Sequence, residues 1–369
     1  MRAVSFLKIA TFLLVLIAFV YPVSAVWYNH SWINRMELVL DDSQISGTHS
    51  NFSMYVGVTS LDLNVSQSDG DDIIFVLDDG TKLSHEIDNF NSSTGVLHAY
   101  VKVPELNLST KLYLYYNNPA INNSENASDV WLDYAAVWHL SQSPSAPGTY
   151  NVLDSTSNNN NCTADSVAMN STNLVDGKFY KALNFSAVNN QSISALDSVS
   201  LSPTGTALTM VVWVKTPATL QNAYNVITTK SFNEGQASPY SAYSLYMANN
   251  ALSNRFHAGA ANATSWAQNI HSFAIATPAP PTTSTWYQVA FVKNATNHIG
   301  YVDGTIRTTI NNTFNLVDTA WEFRIGGNPI GQEPFSGIVD EVTIRASTIT
   351  PERMQTEYNN QNYPDMVSL

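Results

Sequence analysis

Short stretches of alternating hydrophobic and polar residues begin the chain after its first 25 residues, and this is the pattern of half-buried β-strands. They cover residues 35–40, 52–58, 73–77, 97–103 and 111–116. Asp78-Asp79-Gly80, directly after the third stretch, is a tight-turn signal. None of these stretches shows a helical period of 3.6 residues. Residues 26–119 are therefore predicted to form a small β-sandwich.

The strand pattern continues to the end of the chain. A polar segment with Pro119 separates the two parts, and we place a linker at residues 120–130. Further strands are predicted at residues 206–215, 286–292, 298–302 and 338–345, and the one notable helix at residues 351–360. Many strands without internal repeats predict two large sheets packed face to face over residues 131–369. The expected fold class is all-β.

The first 25 residues have the layout of a secretory signal. Arg2 and Lys8 precede an apolar run at residues 9–20, and Val23-Ser24-Ala25 supplies small residues for cleavage. The alternative is an uncleaved anchor, but the run is shorter than the roughly 20 residues that a spanning helix needs. We expect residues 1–25 to be removed and the mature protein to be secreted.

Composition and charge narrow the class of protein. Only 12% of the residues are charged and 11% are aromatic, which fits a folded β-protein and not a disordered chain. The net charge of −13 repels phosphate backbones and anionic lipid, so nucleic-acid binding is excluded. A single cysteine, Cys162, makes no internal disulfide, so stability is expected from the core and from a metal ion if one binds.

Asn-x-Ser/Thr acceptor motifs are dense along the whole chain. Together with the signal segment they predict a glycosylated surface protein. The acceptors singled out are Asn64, Asn91, Asn126, Asn170, Asn262, Asn294 and Asn311.

An ordered series of motifs resembles the LamG-like, concanavalin A-type jelly roll. Each motif is short, but their order over the C-terminal segment is specific. They include Ala136-Val137-Trp138-His139-Leu140, Asp154-Ser155-Thr156, Ala182-Leu183-Asn184-Phe185, Val212-Trp213-Val214-Lys215, Trp286-Tyr287-Gln288-Val289, Tyr301-Val302-Asp303-Gly304, Ile325-Gly326-Gly327, Phe335-Ser336-Gly337-Ile338-Val339-Asp340-Glu341 and Tyr358-Asn359-Asn360-Gln361.

The N-terminal segment resembles a domain of unknown function, number 2341. This resemblance implies an order of domains and a location at the surface of a prokaryotic cell, without any assigned chemistry. Its marks here are Trp32, Arg35, Asp71-Asp72-Ile73-Ile74-Phe75, Val101-Lys102-Val103-Pro104 and Leu114-Tyr115-Tyr116-Asn117-Asn118-Pro119.

Concanavalin-like jelly rolls include both lectins and glycanases, and the glycanases need two carboxylates a few ångströms apart. Glu86-Ile87-Asp88 lacks the further glutamate of the glycanase strand motif and lies in the first domain. Asp340 and Glu341 are adjacent, so in a regular strand they point to opposite faces. His139 follows Trp138 in an apolar strand and is predicted to be a satisfied core histidine. The protein is therefore predicted not to be an enzyme.

A structural calcium ion is the cofactor that we predict. Alternation places Asp340 on the same face as Ile338, Val342 and Ile344, and a buried carboxylate needs a partner. Calcium, held by several oxygen ligands, supplies one. The jelly-roll resemblance adds Asp154 as a second ligand. The alternative is a hydrogen bond to backbone amides or an arginine pair.

Sugar binding needs an aromatic surface beside fixed polar groups. The loop-rich middle of the jelly roll offers such residues, with Tyr243 among them and Trp266 in a polar stretch. The alternative for Trp266 is that it covers the edge of a sheet. The predicted ligand-binding residues are Tyr240, Arg255, His257 and Trp266.

These observations predict a secreted carbohydrate-binding or adhesion protein at the cell surface, with glycans or surface glycoproteins as partners. The alternative is a structural subunit of a glycosylated cell-surface layer or extracellular filament. Self-assembly distinguishes the alternative from sugar binding by a monomer.

Overall fold

The computed structural model describes residues 27–166, 168–217, 219–230, 243–250, 253–261, 270–275, 283–328, 333–363 and 366–369. The predicted signal segment, residues 1–25, lies outside the described residues. None of the helices within these ranges is long and apolar enough to cross a membrane.

Two sheets form the N-terminal sandwich. A five-stranded sheet has the order β23-β1-β7-β3-β4, and a three-stranded sheet has the order β2-β6-β5. The strands are β1 (Asn34–Leu40), β2 (His49–Thr59), β3 (Ile74–Leu77), β4 (Lys82–Leu83), β5 (His85–Asn91), β6 (Val96–Leu106), β7 (Leu112–Tyr116) and β23 (Val367–Ser368).

Two larger antiparallel sheets form the jelly roll. One has the order β10-β11-β22-β13-β18-β19-β20 with β8 on β22, and the other has the order β17-β16-β15-β14-β21-β12-β9. The strands are β8 (Ala136–Trp138), β9 (Thr163–Ala164), β10 (Leu174–Asp176), β11 (Lys181–Phe185), β12 (Ile193–Ala195), β13 (Leu208–Lys215), β14 (Tyr224–Lys230), β15 (Tyr243–Asn250), β16 (Ser253–Ala261), β17 (Ile270–Ile275), β18 (Trp286–Lys293), β19 (Asn297–Val302), β20 (Thr305–Asn311), β21 (Phe323–Ile325) and β22 (Gly337–Arg345).

Helices are few and short. α1 lies within the predicted linker, and its N-cap is Asn126, whose side chain accepts a hydrogen bond from the backbone of Asp129. α2 has Thr350 as its N-cap and proline in its first turn, both of which favour a helix start. The helices are α1 (Ala127–Val130), α2 (Pro351–Asn362) and the 3₁₀ turns Asp42–Gln44, Leu61–Val65, Ser171–Asn173 and Val199–Leu201.

Alternation along the strands builds the two main cores. In β13, Val212 and Val214 point between the two large sheets, and Trp213 points to the opposite face. In β2, Phe52 and Met54 belong to the core of the N-terminal sandwich. The predicted all-β class is confirmed, and the predicted strands and C-terminal helix are present with small shifts at their ends.

The outer face of the eight-stranded sheet is covered by the N-terminal sandwich and by α2. Trp213 stacks on Tyr358 of α2 with ring centroids 5.9 Å apart, and Tyr55 of β2 packs against Phe179 at 4.6 Å. Asn360 of α2 bonds both backbone groups of Tyr55. We call this buried contact region the junction.

The end of the chain returns to the N-terminal sandwich. β23 pairs with β1 through Val367 and Leu40, and Met366 is buried in the N-terminal core. Although we place residues 131–369 in the second domain, this last strand completes a sheet of the first. The two sandwiches are therefore tied together at the junction and again by the C-terminal strand.

Candidate functional site

The face of the seven-stranded sheet that points away from the jelly-roll core carries the described part of the predicted ligand site. In β16, Phe256 and Ala258 belong to the jelly-roll core. Because successive side chains of a strand alternate, Arg255 and His257 lie on the opposite face, and both are half-buried.

An aromatic row runs across neighbouring strands on this face. Tyr246 of β15 lies directly opposite His257 in the sheet register, and their rings stack at 5.1 Å with an interplanar angle of 18°. Tyr224 at the start of β14 meets Tyr246 edge-on at 5.8 Å and is 38% exposed. Tyr246 itself is 8% exposed and packs with Val226 and Ala248, so Tyr224 and the half-buried His257 are the rings of this row that reach the surface.

Arg255 adds a cation next to this row. Burial lowers the pKa of His257, and the charge of Arg255 lowers it further. The imidazole of His257 is therefore neutral near pH 7 and offers one donor and one acceptor. We call Tyr224, Tyr246, Arg255 and His257 the sheet-face site.

The predicted ligand residues have different outcomes. Tyr240 and Trp266 lie outside the described residues. Arg255 and His257 come together as described, but on a strand and not in a loop. Tyr243, also expected in a loop, lies in β15 and is fully buried in the core, where its hydroxyl donates to the carbonyl of Leu201 at 2.8 Å. The alternation of polar and apolar residues from Arg255 to Ala258 is the signal of a strand that a loop assignment overlooks.

A second group of functional side chains is buried at the junction. His139, next to the end of β8, places Nδ1 2.9 Å from both carboxylate oxygens of Glu341. Its Nε2 lies 3.3 Å from Oε2 of Glu86, which comes from the N-terminal sandwich. His139 is thus a buried, satisfied histidine as predicted, and its partners are carboxylates from both sandwiches.

Further polar contacts hold the Glu86 carboxylate. Trp131 donates its indole N–H to Oε2, and Ser155 donates its hydroxyl to Oε1 at 2.6 Å. The ring of Tyr100 stacks on the imidazole of His139 at 4.7 Å. Asp88, two residues along β5, accepts a 2.6 Å hydrogen bond from Ser141. We call Glu86, Asp88, His139, Asp340 and Glu341 the junction cluster.

A β-bulge places Asp340 and Glu341 together, contrary to prediction. Glu341 has a φ of +50°, and the pairing of β13 with β22 shifts register at this point. Val339 and Val342 both enter the jelly-roll core. Val342 and Ile344 point into the core, whereas Asp340, which alternates with Val339, faces the junction. The predicted inward face shared by Asp340 with Ile338, Val342 and Ile344 is therefore wrong.

Asp340 is buried with incomplete hydrogen bonding. Its Oδ2 accepts a 2.7 Å bond from the backbone N–H of Lys178. Gly177 makes this approach possible, because a Cβ there would lie 2.5 Å from Oδ2. Oδ1 of Asp340 has no hydrogen-bond partner among the described residues, although the side chain is 1% exposed. Such a group carries a desolvation cost.

Burial and mutual charge shift the pKa values of the cluster. Burial raises the pKa of Asp340 well above its usual range, and the neighbouring Glu341 raises it further. Burial opposes protonation of His139, yet Glu341 and Glu86 together raise its pKa well above the usual value. The contacts with His139 hold the pKa of Glu86 low, although burial acts in the opposite direction. His139 is therefore a cation between two carboxylates near neutral pH.

Asp154, the other predicted calcium ligand, has its oxygens occupied within its own loop. It accepts hydrogen bonds from the backbone of Val137, Thr156 and Asn160 and from the Thr156 hydroxyl. These contacts match the predicted alternative to calcium, in which backbone amides satisfy a buried carboxylate. Within the described ranges, no group of three or more His, Cys, Asp or Glu residues is arranged to hold a metal ion.

The predicted glycan acceptors lie mostly at the surface. Asn262 is outside the described residues, and Asn294 is half-buried. The exposed acceptors are Asn64, Asn91, Asn126, Asn170 and Asn311. Their modification remains a prediction.

Family comparisons match the two parts of the chain. Residues 188–355 match the family model Laminin_G_3, described as the concanavalin A-like lectin/glucanases superfamily. Residues 69–147 match DUF2341, a domain of unknown function. Both predicted resemblances and their order along the chain are confirmed. No curated protein sequence matches the chain.

Several solved structures are similar to the jelly roll at low identity. Domain 4 of AbnA, a GH43 extracellular arabinanase from Geobacillus stearothermophilus, in complex with arabinotriose, is 17% identical, with 60% of this chain and 97% of that chain covered and a TM-score of 0.44. The binding domain of botulinum neurotoxin serotype G is 13% identical, with 61% and 50% covered and a TM-score of 0.41. A heptameric SAP-like pentraxin from Limulus polyphemus is 16% identical, with 42% and 70% covered and a TM-score of 0.33.

Proposed function

We propose that this protein is an extracellular carbohydrate-binding or adhesion protein without catalytic activity. A concanavalin A-like domain covers much of the chain and belongs to a superfamily of lectins and glucanases. The predicted signal segment and the exposed acceptor asparagines support a location outside the cell or at its surface. Glycans or surface glycoproteins are the proposed partners.

The aromatic row of the sheet-face site is the observation that carries this proposal. Sugar rings present apolar C–H faces, which pack on aromatic rings, and hydroxyl edges, which need hydrogen-bond partners. The exposed ring of Tyr224 supplies the first, and the neutral imidazole of His257 with the guanidinium of Arg255 supplies the second. The buried ring of Tyr246 packs between Tyr224 and His257 and holds the row together. These groups come from three adjacent strands, so the sheet positions them without a flexible loop.

The burial of the junction cluster supports binding over hydrolysis. The cluster does bring four carboxylates near one histidine, which a glycanase site resembles in composition. Asp340 and Glu341 are only 1% and 3% exposed, and a buried cluster that includes Tyr100 and Trp131, with Phe179 packed against it, lies at the same junction. A polymeric substrate has no route to such groups while the two sandwiches are docked.

A glycan array with the purified protein and matched variants tests the proposal. Tyr224→Ala and His257→Ala remove two parts of the sheet-face site, and we expect each to weaken binding by about tenfold or more, or about 1.4 kcal/mol. Tyr363→Ala is the control, because Tyr363 is 47% exposed and follows α2, away from this face. Absence of binding to any glycan by folded, monodisperse protein contradicts the proposal.

A second function, as a structural subunit of a surface layer or filament, is favoured by the way the two sandwiches are joined. β23 and α2 connect the end of the chain to the N-terminal sandwich, which suits a protein that transmits load. Light scattering against protein concentration tests it: reversible growth of large assemblies without added glycan supports this function, and a monomer at all concentrations argues against it.

A further inference from the structure

Two adjoining clefts lie on the molecule away from the sheet-face site. The larger has a volume of about 640 Å³ and the smaller about 300 Å³, and both sizes fall in the range of ligand pockets. Asn158 lines both clefts. We infer that together they form a second carbohydrate site, which binds an uncharged polysaccharide chain across the boundary of the two sandwiches. This inference rests on the ligand class of the proposed function.

Both sandwiches build the larger cleft. One wall is the start of β2 in the N-terminal sandwich, with the exposed hydroxyls of Thr48 and Ser50. The other wall belongs to the jelly roll and includes Leu132 before β8 and Ser347 and Thr348 after β22. A ligand in this cleft therefore contacts the two sandwiches at once.

The cations in the larger cleft are already paired, and Asp133 adds an exposed carboxylate that repels anions. Arg345 contacts Glu357 at 2.7 Å, and Arg353 contacts the same carboxylate at 2.9 Å while donating to the carbonyls of Ser50 and Asn51. Burial lowers the pKa of His49, so this histidine is neutral near pH 7. Phosphate, sulfate and uronic acid groups therefore meet no free cation from these residues. The remaining hydroxyls suit a neutral, polyhydroxylated ligand.

Amide groups line the smaller cleft, and three of them have unused atoms. Asn158 donates Nδ2 to the carbonyl of Ala135 at 3.0 Å, and Asn159 donates Nδ2 to Ser157 at 2.9 Å. Asn161 uses Oδ1 to accept from the backbone of Asp154 at 2.8 Å. Among the described residues, no hydrogen bond is made by the side-chain oxygens of Asn158 and Asn159 or by the amide nitrogen of Asn161. Hydroxyl groups of a ligand pair with both kinds of atom.

Apolar surface lies beside these amides. Tyr150 lines the smaller cleft and is 39% exposed, and Leu196 next to it is 58% exposed. Val199 at the edge of the larger cleft is 93% exposed. Exposed rings and aliphatic groups next to amides and hydroxyls match the mixed polar and apolar faces of a sugar ring. Because the two clefts adjoin at Asn158, the geometry favours an extended chain over a monosaccharide.

Affinity electrophoresis in gels that contain a soluble polysaccharide tests this inference. The probes are mannan, xylan, arabinan and mixed-linkage β-glucan, with alginate as an anionic comparison. Tyr150→Ala removes the ring of the smaller cleft, and Val199→Glu adds a charge at the edge of the larger one. Val188→Glu is the matched control, because Val188 is 82% exposed and lines neither cleft.

We expect a neutral polysaccharide to retard the wild type, and Tyr150→Ala and Val199→Glu to weaken this retardation about tenfold each. Val188→Glu should behave like the wild type. If binding survives Tyr224→Ala in the sheet-face site but is lost in the cleft variants, the cleft is the polysaccharide site and the sheet-face site is excluded as one.

Three results overturn the inference. If the cleft variants bind like the wild type while Tyr224→Ala abolishes binding, the proposed function stands and the cleft is not a sugar site. If Val199→Glu and Val188→Glu weaken binding equally, the effect is one of surface charge. If alginate alone retards the protein, the ligand is anionic and the assignment of a neutral chain is wrong.

Discussion

Removing the cation of the junction cluster is the sharpest test of how the two sandwiches are held together. In the wild type, the imidazole of His139 lies 2.9 Å from the Glu341 carboxylate and 3.3 Å from that of Glu86. His139→Leu leaves both carboxylates buried beside Asp88 and Asp340 without a positive partner. Breaking a buried ion pair from one side costs about 3–5 kcal/mol.

This cost is large enough to measure by thermal unfolding. For a domain of 150–250 residues, a change of 1 kcal/mol shifts Tm by about 2–4 °C. His139→Leu should therefore lower Tm by about 6–20 °C at pH 7.5. The Trp131 and Ser155 hydrogen bonds to Glu86 remain in the variant. The expected decrease in Tm therefore comes from the lost charge pairing.

The pH dependence of the stability deficit distinguishes a loss of charge pairing from a loss of side-chain packing in His139→Leu. Without His139, the folded pKa of Glu86 rises above that in the unfolded chain, and the pKa of Glu341, which burial already raises in the wild type, rises further. A raised carboxyl pKa adds stability below the unfolded pKa of about 4.3 and removes it as pH rises. The wild type has the full gain from His139 below about pH 6.5 and loses it progressively as pH rises from there through the raised folded pKa of that residue. The variant already loses stability above about pH 4.3, so its deficit is larger at pH 7.5 than at pH 4.5.

A triple variant is the matched control. Glu86→Gln and Glu341→Gln in the His139→Leu background remove the two uncompensated charges while keeping nearly the same volume. We expect this protein to recover most of the lost Tm at pH 7.5. The reasoning is refuted if His139→Leu costs less than about 1 kcal/mol, or if its deficit is the same at pH 4.5 and pH 7.5.

Three further predictions concern the junction and the end of the chain. Asp340→Asn should raise the free energy of unfolding by about 1–3 kcal/mol at pH 8 and by less at pH 4.5. Burial raises the pKa of Asp340, so ionisation of this carboxyl costs stability as pH rises. An equal change in Tm at both pH values argues against this reasoning. If calcium binds at Asp340, adding about 1 mM CaCl₂ after chelator treatment raises the Tm of the wild type but not that of Asp340→Asn. An unchanged wild-type Tm excludes a calcium site at Asp340. Met366→Ala should destabilise the N-terminal sandwich by about 2–5 kcal/mol, seen as faster amide exchange in β1 and β7; unchanged exchange shows that the C-terminal strand does not stabilise this sheet.

Much of the fold could be predicted because each strand carries its own alternation. β18 and β19 follow the predicted ranges closely, and the turn after β19 has positive φ at both Asp303 and Gly304, as an Asp-Gly step predicts. The helix start at Thr350 and Pro351 is equally local. Such signals depend on neighbours in sequence, so a single chain is enough to find them.

The junction could not be predicted because its two halves are far apart in sequence. The position of Glu86 and Asp88 in the first domain argues against a carboxylate pair with residues of the jelly roll. The fold nevertheless places Glu86 against His139, which comes 53 residues later. The second obstacle is local. A bulge adds one residue to β22, so strict alternation gives the wrong face for Asp340.

The same bulge also bears on how the two sandwiches dock. Glu341 holds a φ of +50°, a conformation that costs energy for a residue other than glycine or asparagine. The bulge places the Glu341 carboxylate beside one ring nitrogen of His139, and the other ring nitrogen contacts Glu86. A buried charge network of this kind adds little net stability over apolar packing, but it penalises any docking that leaves one member unpaired. We therefore expect the junction cluster to define one relative orientation of the two sandwiches, which is the condition for a cleft that both of them line.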